Sequence, residues 1–84
     1  MSIEENQAIL LGINSADPDI NIAARKAAQF TAMCAAGQIS GAELIELLQD
    51  QQRQTAIYQE INDLAALESL NTAINALITI AQSV

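Results

Sequence analysis

The chain has 84 residues, of which 51% are apolar and 2% aromatic, and its net charge at pH 7 is −7. This length allows one domain with a small core, and the apolar fraction excludes a disordered chain. Ten Asp and Glu against three Lys and Arg would repel phosphate backbones and anionic lipid surfaces, so we expect neither a nucleic-acid partner nor a membrane partner.

The first predicted helix spans about residues 3–13. Ser2 and Glu5 have the spacing of a capping box, in which each side chain bonds the backbone N–H of the other residue. Asn14, Ser15 and Ala16 then predict a loop. The apolar residues of this helix that share one side are Ile3, Leu10 and Ile13.

The second predicted helix spans about residues 18–36. Asp17 is placed to cap its start, and the fixed φ of Pro18 suits the first helical position. Gly37 is predicted to end it in the left-handed conformation. The apolar stripe, spaced by three and four residues, is Ile20, Ala23, Ala27, Phe30 and Cys34. Its alanines predict a close helix–helix approach.

A second capping box follows at Ser40 and Glu43, with Ile39 and Leu44 placed as a hydrophobic staple. The short connection after Gly37 predicts an antiparallel helical hairpin.

The third predicted helix spans about residues 41–83, since no proline and no further glycine follows Gly41. Its polar stretch, residues 49–55, consists of good helix formers, so we expect the helix to continue through it. The apolar repeat beyond it approaches the heptad period of a coiled coil, with a one-residue slip between Leu64 and Leu67. The predicted fold is therefore all-α: a short N-terminal helix, then an antiparallel hairpin with a long C-terminal helix. The alternative is a compact four-helix bundle, in which residues 49–55 break the long helix.

A helix of this length would extend well beyond the second helix and leave its apolar end uncovered. Several large side chains exposed together are not expected to remain in water. We therefore predict a protein-protein interface in the C-terminal helix, for a homo-oligomer or a larger complex. The predicted interface residues are Leu64, Leu67, Leu70, Ile74, Leu77, Ile78, Ala81 and Val84.

The residue types predict a protein that is not an enzyme. The chain has no histidine, which is the commonest general base and metal ligand near neutral pH. Cys34 lacks a partner base, which argues against a nucleophile. Glu43, Glu46 and Asp50 share a helical face but lack the Glu-x-x-His pattern of dimetal bundles, which favours a solvated face. We predict no catalytic, cofactor-binding or metal site, and no small-molecule substrate.

The N-terminal region carries Glu4 and Glu5 where a secretory signal would be positive. Residues 69–84 are uncharged but fall short of the about 20 residues that cross a membrane. A lone Cys34 forms no intrachain disulfide. These features predict a cytoplasmic location and no secretion.

The run from Phe30 to Asp50, with its Ala-Gly turn and capped helix, followed by a Leu/Ala/Ile-rich C-terminal helix, resembles small helical structural proteins of tailed bacteriophages. That resemblance implies a virion or assembly component whose C-terminal helix is buried among repeated copies or against a larger protein. The alternative function is a small acidic regulatory module or assembly chaperone that masks a basic partner, as the net charge indicates.

Overall fold

The computed structural model describes residues 3–57 and 63–83, and most of them are helical. The helices are α1 (Ile3–Gly12), α2 (Pro18–Ala35), α3 (Gly41–Ile57) and α4 (Leu64–Gln82). No strand occurs within the described ranges, so the all-α prediction is confirmed. Ser2 of the first predicted capping box lies outside these ranges.

Local capping explains where α2 begins and ends. Asp17 has extended backbone angles, φ −92° and ψ 112°, and its carboxylate accepts from the Asp19 N–H at 3.0 Å. Gly37 adopts φ +77°, the left-handed conformation that the sequence predicted for it. This turn lets the Gln38 N–H reach the Met33 carbonyl at 2.9 Å, which satisfies an acceptor at the helix end.

The capping box at the start of α3 is also confirmed. The Glu43 N–H donates to Ser40 Oγ at 3.1 Å, and the Ser40 N–H donates to Glu43 Oε1 at 3.2 Å. From this start α3 continues through residues 49–55, as the helix-forming residues there predicted.

The continuous helix predicted over residues 41–83 is wrong, because α3 and α4 are separate helices that pack antiparallel. A Cβ built on Gly41 would lie 3.2 Å from the Ala81 carbonyl oxygen, and Gln52 Nε2 donates to Asn75 Oδ1 at 2.8 Å. In one straight helix residues 41 and 81 would stand about 60 Å apart. The alternative architecture, a compact four-helix bundle, is the observed one, with the division between Ile57 and Leu64 instead of within residues 49–55.

A capped start defines α4. Asp63 is non-helical, with φ −94° and ψ 77°, and its Oδ1 accepts from the Ala66 N–H at 3.1 Å. This is the geometry of an N-cap, and aspartate is among the residues most favoured there.

The core lies where the helices meet, and it is built from aliphatic side chains. Among the described residues, α2, α3 and α4 contact one another in every pairing, whereas α1 contacts α2 and α4 but not α3. Small side chains on α2 let its neighbours approach closely. The buried apolar residues are Leu10, Ile20, Ala23, Ala24, Ala27, Ala28, Leu44, Leu48, Leu70, Ala73, Ile74 and Leu77, with Phe30 and Cys34 packed partly buried against them.

Candidate functional site

The residues predicted as an interface on α4 divide into a buried group and a rim. Leu70, Ile74 and Leu77 are at most 1% exposed, enclosed by the other helices of the same chain. Their burial removes the reason for expecting an interface at these positions, because α3 and α4 fold back on each other and the chain covers its own apolar seam. Their physical role in this structure is packing of the bundle core.

The rim of α4 leaves some apolar surface in water. Leu67, Ile78 and Ala81 are partly buried against the core, while Leu64 is 69% exposed at the first position of the helix. Val84 lies outside the described residues. At the same end of the bundle, Leu11 in the last turn of α1 is 66% exposed. Isolated exposed leucines are common on protein surfaces, so Leu64 and Leu11 by themselves do not define a binding site.

By length and composition, α4 is the one helix within residues 3–57 and 63–83 that could cross a membrane. α4 is long enough because it includes residues 64–68 in addition to the uncharged residues that begin at position 69. A core helix of a water-soluble protein that is mostly buried meets the same criterion, and 28% of this stretch of α4 is buried inside the bundle.

The outer face of α3 carries the clearest concentration of charge. Glu43, Glu46 and Asp50, spaced by three and four residues, lie on one side of the helix, as expected from the helical period. With Leu47 and Arg53 they line a shallow, open depression of about 310 Å³. Leu47 is half-buried, so an apolar surface lies beside the carboxylates.

The three carboxylates of this α3 acidic face differ in their hydrogen bonds. Glu43 completes the capping box with Ser40. Asp50 accepts from Arg53 Nη2 at 3.4 Å and from Gln54 Nε2 at 3.2 Å. No such bond to Glu46 is found in the described part of the chain, and its side chain is exposed. Exposed ion pairs such as Asp50–Arg53 contribute little to stability, so the face is free to interact with a charged molecule.

A partly buried polar cluster, which the sequence did not predict, joins the α1–α2 loop to the start of α4. Ser15 Oγ donates to Asp63 Oδ2 at 2.8 Å and accepts from the Asp17 N–H at 3.0 Å. Asn21 pairs with the Ser15 backbone through two bonds of 2.8 Å. We call Ser15, Asn21 and Asp63 the loop clasp. Its hydrogen bonds are internally satisfied, which indicates a structural role.

Metal-ligating and thiol side chains are sparse among the described residues. No group of three or more Cys, Asp and Glu side chains within residues 3–57 and 63–83 is placed to hold a metal ion. Cys34 is half-buried against the core, as the helical stripe predicted, and free cysteines of this kind behave as small apolar residues. Comparison of the chain with protein-family models, curated proteins and solved structures found no match.

Proposed function

We propose that this protein is a non-enzymatic interaction module that binds a basic surface of a partner protein through the α3 acidic face. The observation that carries the proposal is the line formed by Glu43, Glu46 and Asp50 beside the half-buried Leu47, on a helix that is capped and packed on two neighbours. A rigid helix presents charges at fixed spacing, so little conformational entropy is lost when a partner binds.

The charge of the whole chain supports the same function. A net charge of −7 on 84 residues produces a negative field that speeds encounter with cations and slows encounter with other anions. The expected partner surface carries Lys or Arg at helical spacing around an apolar residue that fits beside Leu47. Small regulatory modules and assembly chaperones that mask basic proteins act in this way.

The test uses full-length protein and a synthetic helical peptide with Lys at positions i, i+3 and i+7 beside one Leu. Binding is measured by fluorescence anisotropy between 0.05 and 0.5 M salt, chosen as about the range over which screening becomes strong. We expect affinity to fall as salt rises, because the contact is electrostatic.

Two charge-reversal variants give a matched comparison. Glu46→Lys alters the α3 acidic face, whereas Glu68→Lys makes the same change in net charge at an exposed position on α4. We expect Glu46→Lys to weaken binding up to about fivefold more than Glu68→Lys, the size of one exposed ion pair. Equal weakening by the two variants, or binding that salt leaves unchanged, would refute the α3 acidic face as the binding surface.

A second candidate function is assembly into a homo-oligomer or a larger complex through the exposed rim of α4, in the cytoplasm or in a phage virion. The observation that favours it is the 69% exposure of Leu64, with Leu67, Ile78 and Ala81 only partly covered. Sedimentation velocity of the purified chain tests it. A dimer or larger species at micromolar concentration that Leu64→Ser returns to monomer supports assembly through this rim, and a monomer throughout the concentration range opposes it.

A further inference from the structure

The outward side of α2 carries two of the three basic residues of the chain. Arg25 and Lys26 are both exposed. Ile22, which is 47% exposed, precedes them by one turn, and the exposed Gln29 follows them by one turn. We call these four residues the α2 outer face, since they lie on the side of the helix away from its buried residues. A chain with ten acidic residues thus places two cations together beside an exposed aliphatic side chain.

The two cations of the α2 outer face have no acidic partner close by. No Asp or Glu stands three or four positions from Arg25 or Lys26, the spacing at which side chains of one helix meet. Across the part of the chain that the structure describes, the ion pair found is Asp50–Arg53, and neither α2 cation takes part in one. Both cations are therefore available to an acidic surface outside their own chain.

The α3 acidic face has the matching arrangement of charges around an apolar residue. Glu43 precedes the half-buried Leu47 by four positions, and Asp50 follows it by three. On α2 the cations follow Ile22 by three and four positions. When Ile22 of one copy packs on Leu47 of another, the cations lie about one helical turn, or about 5 Å, from this contact. A carboxylate is present at that distance on either side of Leu47, so the charges match in both directions of approach.

We propose that the basic partner of the α3 acidic face is a second copy of this chain, which docks through its α2 outer face. The inference rests on the proposed function, because it names the occupant of the same site. α2 and α3 are neighbours in the bundle, so two copies can exchange the contact reciprocally in a twofold dimer. Each ion pair then occurs twice.

The net charge of −7 on each copy opposes this dimer only in part. At an ionic strength of about 0.15 M, charges separated by more than about 8 Å are largely screened. The Cα atoms of one chain span 35 × 22 × 18 Å, so charges on the far sides of two copies lie well beyond that distance. Side chains in direct contact are not screened in this way, and their complementarity decides which faces meet.

Exchanging charges between the two faces tests the proposal. The assay is sedimentation equilibrium of the full-length protein at up to about 1 mM, a concentration suited to weak association. Lys26→Glu and Glu46→Lys each place like charges opposite one another, and both side chains are exposed, so neither change disturbs the core. We expect each variant to weaken dimerisation about twofold to twenty-fivefold, since one exposed pair changes affinity up to about fivefold and occurs twice. The double variant restores opposite charges and should dimerise within about twofold of wild type.

General repulsion between copies predicts a different order of affinities. Glu46→Lys brings the net charge closer to zero, so it would strengthen an association that is limited by repulsion alone. Stronger dimerisation of Glu46→Lys, or a double variant weaker than both single variants, would overturn the proposal. Leu64→Ser changes an exposed position on α4 outside both faces and should leave dimerisation unchanged. Loss of the dimer in Leu64→Ser would assign the contact to the rim of α4 and would also overturn the proposal.

The lysine peptide described above separates this inference from the proposed function. If the peptide binds the α3 acidic face while the wild-type chain remains a monomer at about 1 mM, the proposed function stands and the second copy is not the partner. If neither the peptide nor a second copy binds, both proposals fail. Dimerisation that is weakened by each single variant and restored by the double variant supports both.

Discussion

Replacing Ile74 by Ala distinguishes a core residue from an interface residue most directly. Ile74 is 0% exposed, and Leu70 and Leu77, one turn away on either side, are also buried. Truncation removes the burial of the aliphatic side chain and leaves a cavity that tightly packed neighbours fill only in part. The expected loss in free energy of unfolding is about 3 kcal/mol, within the about 2–5 kcal/mol typical of such sites.

That loss is large for a chain of this size, whose total stability should be about 5–10 kcal/mol. Urea denaturation followed by circular dichroism at 222 nm is a suitable assay. With a slope of about 1 kcal/mol per M urea, the midpoint should fall by about 3 M. Ile74→Val, which removes one methyl group, should cost about 0.5–1.5 kcal/mol and keeps the experiment informative if Ile74→Ala does not fold.

Leu64→Ala is the matched control, because Leu64 is on the same helix but is 69% exposed. It should change the free energy of unfolding by less than about 0.5 kcal/mol. If Ile74→Ala lowered stability no more than Leu64→Ala, or changed only the association state, Ile74 would not pack in the core of the single chain and the bundle described above would be refuted.

Further predictions use the same urea assay. Ser15→Ala removes the donor to Asp63 and should lower the free energy of unfolding by about 1–2 kcal/mol, because a partly buried carboxylate loses a hydrogen bond. Ser69→Ala on the exposed side of α4 should change it by less than about 0.5 kcal/mol, and equal effects would contradict the role of the loop clasp. Gly37→Ala should cost about 1–2 kcal/mol, because φ at Gly37 is +77° and alanine is strained there. Gly12→Ala, where an added Cβ meets no atom within 4 Å, should instead stabilise by about 0.4–1 kcal/mol. A stabilising Gly37→Ala would show that the left-handed turn does not form.

The local signals in the sequence predicted the first half of the chain closely. Asp17, Gly37 and the pair Ser40–Glu43 each act through hydrogen bonds or backbone geometry within a few residues, so their meaning does not depend on the rest of the fold. For this reason the bounds of α1 and α2 differ from the predicted ones by a single residue at their ends.

The division between α3 and α4 was less predictable, because no proline or glycine marks it. Two signals were available in the sequence. One is Asp63, which caps the amide three residues later, and the other is the slip in the apolar repeat between Leu64 and Leu67. The predicted interface depended on this point. Once α4 is antiparallel to α3, apolar residues such as Ile74 face their own chain. The α3 acidic face was visible in the sequence as a helical pattern, but its exposure next to Leu47 required the packing of α3.

The bond between Ser15 and Asp63 also bears on the order in which the protein matures during synthesis. The two residues are 48 positions apart, so a nascent chain cannot close this link until Asp63 has emerged. The α2–α3 hairpin, by contrast, consists of nearby residues that all precede Asp63, so it can form earlier and rapidly. The Asp63 carboxylate thus both caps the start of α4 and holds the α1–α2 loop, so this loop becomes fixed only once the start of α4 is in place.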